Sequence, residues 1–164
     1  MGETDALLAN NERYSTGFDK GDLPAEPARR VVVVTCMDAR IDPAAALGLH
    51  EGDAHVLRNA GGVVTEDVLR SLTLSHHLLG AQEVLLMHHS RCAMAGMDEA
   101  GAIAQIEERS GGATVDFSLG AFDDLEADLR ASAERIASHP LLSRLSVRAV
   151  LYEVETGKVR EVAR

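Results

Sequence analysis

Four successive valines, Val31 to Val34, lead through Thr35 to Cys36, and no other stretch constrains this chain as strongly. Five β-branched side chains in a row are stiff at χ1 and favour an extended backbone. No polar residue alternates with them, so the strand they form is buried on both faces, as in the middle of a parallel sheet. A second apolar run, Val84-Leu85-Leu86-Met87, has the same character. It ends in His88 and His89, and Cys92 follows three residues later.

The remaining segments fit around these two strands. Residues 4–20 read as a polar N-terminal helix or arm with Leu7, Leu8, Tyr14 and Phe18 as apolar anchors. Residues 21–27 hold two prolines and read as a connector. Asp42-Pro43 starts a short helix through Leu47, with Asp as N-cap and Pro in the first turn. Residues 54–58 form a second short strand, and Ala60-Gly61-Gly62 a tight loop. Thr65 caps a helix to Leu79, stopped by Gly80. Residues 83–88 are the third strand. Residues 98–108 look helical, with Ser110-Gly111-Gly112 as the break, and 122–137 form an amphipathic helix with Leu125, Leu129 and Ile136 inward. Residues 147–154 are a fourth strand, and residues 158–162 return as a hairpin. Strands alternating with helices predict an α/β fold: a central, mostly parallel β-sheet flanked by helices, with an N-terminal helical arm. Its 164 residues suit one domain over 1–164, of which 1–27 are arm and connector.

A formal net charge of −10 argues against a nucleic-acid backbone or an anionic membrane as partner. No run approaches the roughly 20 apolar residues of a membrane span. The N-terminus lacks a signal-peptide layout. Two cysteines cannot build a disulfide framework, and reduced thiols in the cytoplasm are expected.

Those two cysteines fall just past the ends of the two buried strands, where parallel sheets bind ligands. Cys36, His89 and Cys92 offer three soft donors, the number a catalytic zinc keeps while leaving one position open. Both His88 and His89 are candidates. The three-residue step from His89 to Cys92 suits one turn leaving a strand, which selects His89 and leaves His88 as a neighbouring strand-end group. His50, His55, His76, His77 and His139 carry no ligand signature. Asp38 and Arg40 share the loop after Cys36. A guanidinium grips a carboxylate with two hydrogen bonds and keeps it ionised. Such a carboxylate can accept a proton, or a hydrogen bond, from activated water. An ordinary loop ion pair is the alternative for Asp38 and Arg40, and a buried structural thiol is the alternative for each cysteine.

At these residues the chain resembles the β-class carbonic anhydrases, most closely the short bacterial type. That family carries Cys-x-Asp-x-Arg, here Cys36-Met37-Asp38-Ala39-Arg40, and His-x-x-Cys, here His89-Ser90-Arg91-Cys92. Between them lies an Arg-Asn-Ala-Gly-like loop, here Arg58-Asn59-Ala60-Gly61-Gly62. The resemblance implies a zinc lyase that hydrates carbon dioxide reversibly to bicarbonate and a proton. It implies one zinc per chain on Cys36, His89 and Cys92, with Asp38 and Arg40 as the catalytic pair. In some members the aspartate itself takes the fourth zinc position at rest. It also implies a homodimer, or a dimer of dimers, with the N-terminal arm wrapped on the partner. Many members place an acidic residue before the second cysteine and glycine after it, where this chain has Arg91 and Ala93. Some carry a tryptophan three residues before the first cysteine, as part of an inhibitory bicarbonate site. Val33 stands there, which puts that regulation in question. Relatives with the same ligands hydrolyse carbonyl sulfide or carbon disulfide, and this is the first alternative. A catalytically silent zinc-binding protein is the second. A thiol-nucleophile enzyme is a third, disfavoured because three residues between Cys36 and Arg40 are too few for a phosphatase-type anion loop.

Overall fold

A computed structural model describes residues 2–162. Met1, Ala163 and Arg164, the ends of the span read as one domain, lie outside the described residues. Five helices, α1 (Glu3–Ser15), α2 (Pro43–Leu47), α3 (Glu66–His77), α4 (Glu99–Arg109) and α5 (Leu125–Ala137), accompany five strands: β1 (Val31–Cys36), β2 (Ala54–Asn59), β3 (Glu83–His89), β4 (Ser146–Tyr152) and β5 (Val159–Glu161). The strands form one sheet in the order β2-β1-β3-β4-β5. The first four are parallel, and β5 returns antiparallel to β4.

The valine run is the second strand of that sheet, with neighbours on both edges. It pairs with β2 from Val31↔Ala54 to Cys36↔Asn59 and with β3 from Val31↔Glu83 to Thr35↔Met87. Residues 32–36 are all buried, as an uninterrupted β-branched strand requires. Val32 and Val34 share a face with Val84, Leu86 and Ala149, against Leu69 and Leu72 of α3 and Leu129 and Ile136 of α5. On the opposite face Met87 and Val150 pack with Cys36, Ile41, Cys92 and Met94. The strand order reverses between β1 and β3, so the crevice beyond their carboxyl ends is the switch point where sheets of this kind bind ligands.

The helix starts are local chemistry. Asp42 accepts the amides of Ala44 and Ala45, Thr65 that of Val68, Asp98 that of Gly101 and Asp124 that of Ala127. Each satisfies an N–H that the first turn leaves without a partner. Several boundaries depart from expectation: α1 ends at Ser15, α3 at His77 rather than Leu79, and β4 runs from Ser146 to Tyr152 rather than to residue 154. Both Cys36 and His89 are the last residues of their strands rather than just past them. Phe122 is outside α5: it forms a parallel bridge with Ala95 and stacks on His88 with ring centroids 5.1 Å apart. Capping by Asp124 then sets the helix start at Leu125.

The turn Ala60–Gly62 carries one glycine whose lack of a side chain is a steric necessity. Gly62 has φ +70°, and a Cβ there would lie 2.8 Å from Cys36 N and 2.9 Å from Thr35 C. Those atoms are the backbone of a central strand and cannot give way. Gly80 provides the comparison, with φ +74° and nothing within 4 Å of its would-be Cβ. Gly80→Ala is expected to show only the left-handed penalty of about 1–2 kcal/mol. Gly62→Ala should cost clearly more and weaken any metal site that uses Cys36, since the clash falls on that residue's amide. Urea unfolding and metal analysis of both variants measure this, and equal losses would contradict the steric account.

Candidate active site

At the carboxyl ends of β1 and β3 the chain brings Cys36, His89 and Cys92 together. One ligand atom from each lies within 4.8 Å of the others, and all three residues are buried. Zinc bonds of about 2.0–2.3 Å place tetrahedral ligands roughly 3.3–3.8 Å apart, so the cluster is close to a binding geometry. His89 is fully buried on β3. Its Nδ1 lies 2.9 Å from Ser90 O. A ring that donates there presents a bare Nε2, and that atom is buried without a protein partner. Burial pushes the His89 pKa down and favours the neutral ring that a metal needs. An orphaned imidazole nitrogen facing two thiols is the donor set of a catalytic zinc. The residues present therefore fit that ion.

Asp38 and Arg40 also reach this place. Arg40 Nε donates to Asp38 Oδ1 at 2.9 Å and Nη2 to Oδ2 at 2.7 Å, and the Arg40 amide adds a third bond to Oδ1 at 2.9 Å. Asp38 Oδ2 lies 3.8 Å from His89 Nε2. The Arg40 side chain, then its amide, hold the Asp38 carboxyl well below the usual carboxylate range despite partial burial. An ionised carboxylate thus stands beside the orphaned nitrogen, with a guanidinium fixing both its oxygens.

Three supports escape a motif reading. Arg58 Nε donates to Cys36 O at 3.0 Å and its Nη2 to Asp38 O at 2.8 Å, so the arginine of the middle loop clamps the segment carrying a thiol and the carboxylate. Glu99 accepts Ser118 Oγ and the amides of Leu119 and Ala121, which seats Leu119, Ala121 and Phe122 against the cluster around Cys36 and Cys92. His88, expected as a strand-end neighbour, is buried on the opposite face from His89. Its Nε2 lies 2.8 Å from Asp128 Oδ2 on α5. The periodicity of β3 could have revealed that opposition, whereas the reach of Arg58 has no local signal. Of the histidines without a ligand signature, His55 lies 2.7 Å from Ser75 Oγ, and His76 and His77 approach the carbonyls of Ala81 and Leu141.

The family profile described as carbonic anhydrase matches residues 31–159. Beta-carbonic anhydrase 1 of Mycobacterium tuberculosis is 42% identical over 163 residues, covering 99% of each chain. The chain belongs to the β-carbonic anhydrase family. The solved structure of a carbonic anhydrase from Streptococcus mutans superposes with a TM-score of 0.93 at 37% identity, over 99% of both chains. A carbon disulfide hydrolase of Saccharolobus solfataricus is 31% identical over 182 residues, covering 96% of this chain and 87% of that protein. β-Carbonic anhydrases are zinc enzymes, and the Cys36, His89 and Cys92 group is able to bind that metal. The α/β sheet and the N-terminal helix likewise agree with the family fold.

Proposed function

We propose that this chain catalyses the reversible hydration of carbon dioxide to bicarbonate and a proton, with zinc on Cys36, His89 and Cys92 and with Asp38 and Arg40 as the catalytic pair. One observation carries the reading: Asp38 Oδ2, ionised and locked by Arg40, stands 3.8 Å from the unpartnered Nε2 of His89. Zinc bound there supplies a Lewis acid that lowers the pKa of water toward neutrality. Two thiolate donors temper that acidity, which leaves work for a neighbouring base. Asp38 supplies it by accepting a hydrogen bond from the reacting water and aiming the oxygen lone pair at the carbon of the substrate. Arg40 keeps Asp38 ionised and in one rotamer, so that the carboxylate does not turn onto the metal. Burial of His89 and the thiols excludes bulk water from the donors.

The 31% identical carbon disulfide hydrolase supports a second substrate reading, because carbonyl sulfide and carbon disulfide are linear triatomics like carbon dioxide. The 42% identical, full-length relative favours carbon dioxide. Assays of one zinc-loaded preparation with carbon dioxide, carbonyl sulfide and carbon disulfide decide between them, and a higher kcat/KM for either sulfur substrate would reverse the assignment.

Asp38→Asn keeps the shape of the side chain and removes its charge. General-base contributions are typically about 10²- to 10⁴-fold, so stopped-flow hydration rates should fall within that range with zinc still bound. Arg40→Ala should also be slow, because Asp38 loses its holder. Wild-type rates in fully zinc-loaded Asp38→Asn would remove the pair from the mechanism and favour the silent zinc-protein alternative.

The same proposal takes residues 1–164 as one cytoplasmic domain, with 1–27 as arm and connector, acting as a homodimer or a dimer of dimers. Among the described residues no helix is long and apolar enough to cross a membrane. Support for assembly comes from α1, which buries no residue on its own chain while Leu7 and Leu8 are 64% and 68% exposed. The arm's base is tied down, with Lys20 Nζ 2.7 Å from Glu51 and the Tyr14 hydroxyl donating to the same carboxylate. An apolar stripe held at its base and left uncovered suits a second copy of the chain. Light scattering at working concentration should give at least a dimer, and deletion of residues 2–20 should weaken assembly. A wild-type monomer, or unchanged assembly after deletion, would refute this.

A further inference from the structure

A second carboxylate stands at the mouth of the site. Glu155 lies in the turn between β4 and β5, and Arg91 spans the gap between it and Arg40, with its guanidinium on Glu155 and its carbonyl on Arg40 Nη2. Both Glu155 carboxylate oxygens are already engaged. Ser90 Oγ donates to Oε2 at 2.6 Å, and Arg91 Nε lies 2.7 Å from Oε1. Ser90 and Arg91 are the two residues between His89 and Cys92, so the turn grips the loop that carries both donors. Val154 N adds a bond to Ser90 Oγ at 3.0 Å. Arg91 also faces the other way: its backbone carbonyl accepts Arg40 Nη2 at 3.1 Å. It holds φ +52°, a left-handed backbone unusual for a residue with a side chain.

We propose that Arg91 is a positioning residue that sequesters the Glu155 carboxylate and so reserves Arg40 for Asp38. The inference rests on Asp38 and Arg40 being the catalytic pair. A guanidinium fork grips one carboxylate bidentately. Arg40 is half exposed, and a neighbouring carboxylate with an uncommitted oxygen competes for it. Arg91 removes that competitor through its side chain and steadies Arg40 through its carbonyl. Without the Arg91 guanidinium, Glu155 draws Arg40 outward and Asp38 is freed to turn toward the metal. Rim ion pairs are individually weak, so the balance is easily tipped and the expected effects are a few-fold. The arginine that departs from the family's usual acidic residue thus has a chain-specific task, set by the glutamate opposite it.

The test is a double-mutant cycle in the zinc-loaded full chain: wild type, Arg91→Asn, Glu155→Gln and the double variant. Asparagine tolerates the left-handed backbone, so folding is preserved. Two readouts apply: the pH profile of kcat/KM for carbon dioxide hydration, and the visible spectrum of the cobalt(II)-substituted protein at neutral pH, which reports a carboxylate joining the metal. Arg91→Asn should lose about two- to tenfold in kcat/KM at neutral pH, move its profile to higher pH and change the cobalt spectrum. The double variant should return toward wild type in both readouts, because the competitor is gone. Arg91→Lys, which keeps a cation, should retain most of the activity. A merely structural role for Arg91 predicts a double variant at least as impaired as Arg91→Asn, and that outcome overturns the proposal, as does an unaffected Arg91→Asn. Asp38→Asn in the same series separates the two levels. Fully active Asp38→Asn overturns the catalytic reading and this inference with it, whereas impaired Asp38→Asn beside unaffected Arg91→Asn overturns the inference alone.

Discussion

The parallel pairing of β1 with β3 is the constraint on which everything else rests. Its register, Val31↔Glu83 to Thr35↔Met87, ends the two strands side by side. Cys36 finishes one and His89 the other, at the point where the strand order reverses. The pairing is held by side chains that have no alternative to burial: Val32, Val33, Val34, Leu86 and Met87 are all at or below 1% exposure. Slipping either strand by one residue would turn that strand's side chains to the opposite face, Cys36 or His89 among them. The hydrophobic core therefore fixes the distance between a thiol and an imidazole, and chemistry inherits that spacing from packing.

The site then carries an unmet demand that a metal ion fits. A buried polar atom without a partner costs about 1–3 kcal/mol, and His89 Nε2 is such an atom. Its ring cannot rotate away without losing the Nδ1 contact to Ser90 O. A metal ion bound there would remove the penalty, with the two thiols placed to join it. Around that point the supports run inward from the surface. Arg58 holds the carbonyls of Cys36 and Asp38, Gly62 lets the next turn lie flat on the Cys36 amide, and Arg40 holds the Asp38 carboxylate. None of these touches the donor atoms, yet each fixes a residue that does or that stands beside them.

Much of this was legible because it is local. An uninterrupted β-branched run reads as a buried parallel strand, and Asp42-Pro43 and Thr65 read as helix starts through their own hydrogen bonds. The metal cluster was legible because its donors sit at fixed steps from two recognisable strands. What could not be read is what spans elements. Phe122 fits the helical period of the segment after it, but the structure uses it in a bridge to Ala95 and a stack on His88. Arg58 is 20 residues from the Asp38 carbonyl it holds, and Glu99 a similar distance from the loop it organises. Arg91 is conspicuous only against a family pattern, and its partner Glu155 lies beyond the next two helices. Long polar side chains carry such contacts, and their endpoints are set by topology rather than by neighbours in sequence.

In the proposed centre, two thiolates and one imidazole from one chain hold a zinc with a single open position. X-ray absorption at the zinc edge of the purified, zinc-loaded protein tests this most directly. The expected shell is two sulfurs at about 2.3 Å, one imidazole nitrogen at about 2.0–2.1 Å and one further light atom per zinc. A shell with fewer than two sulfurs, or one filled by four protein sulfur and nitrogen donors, would contradict it.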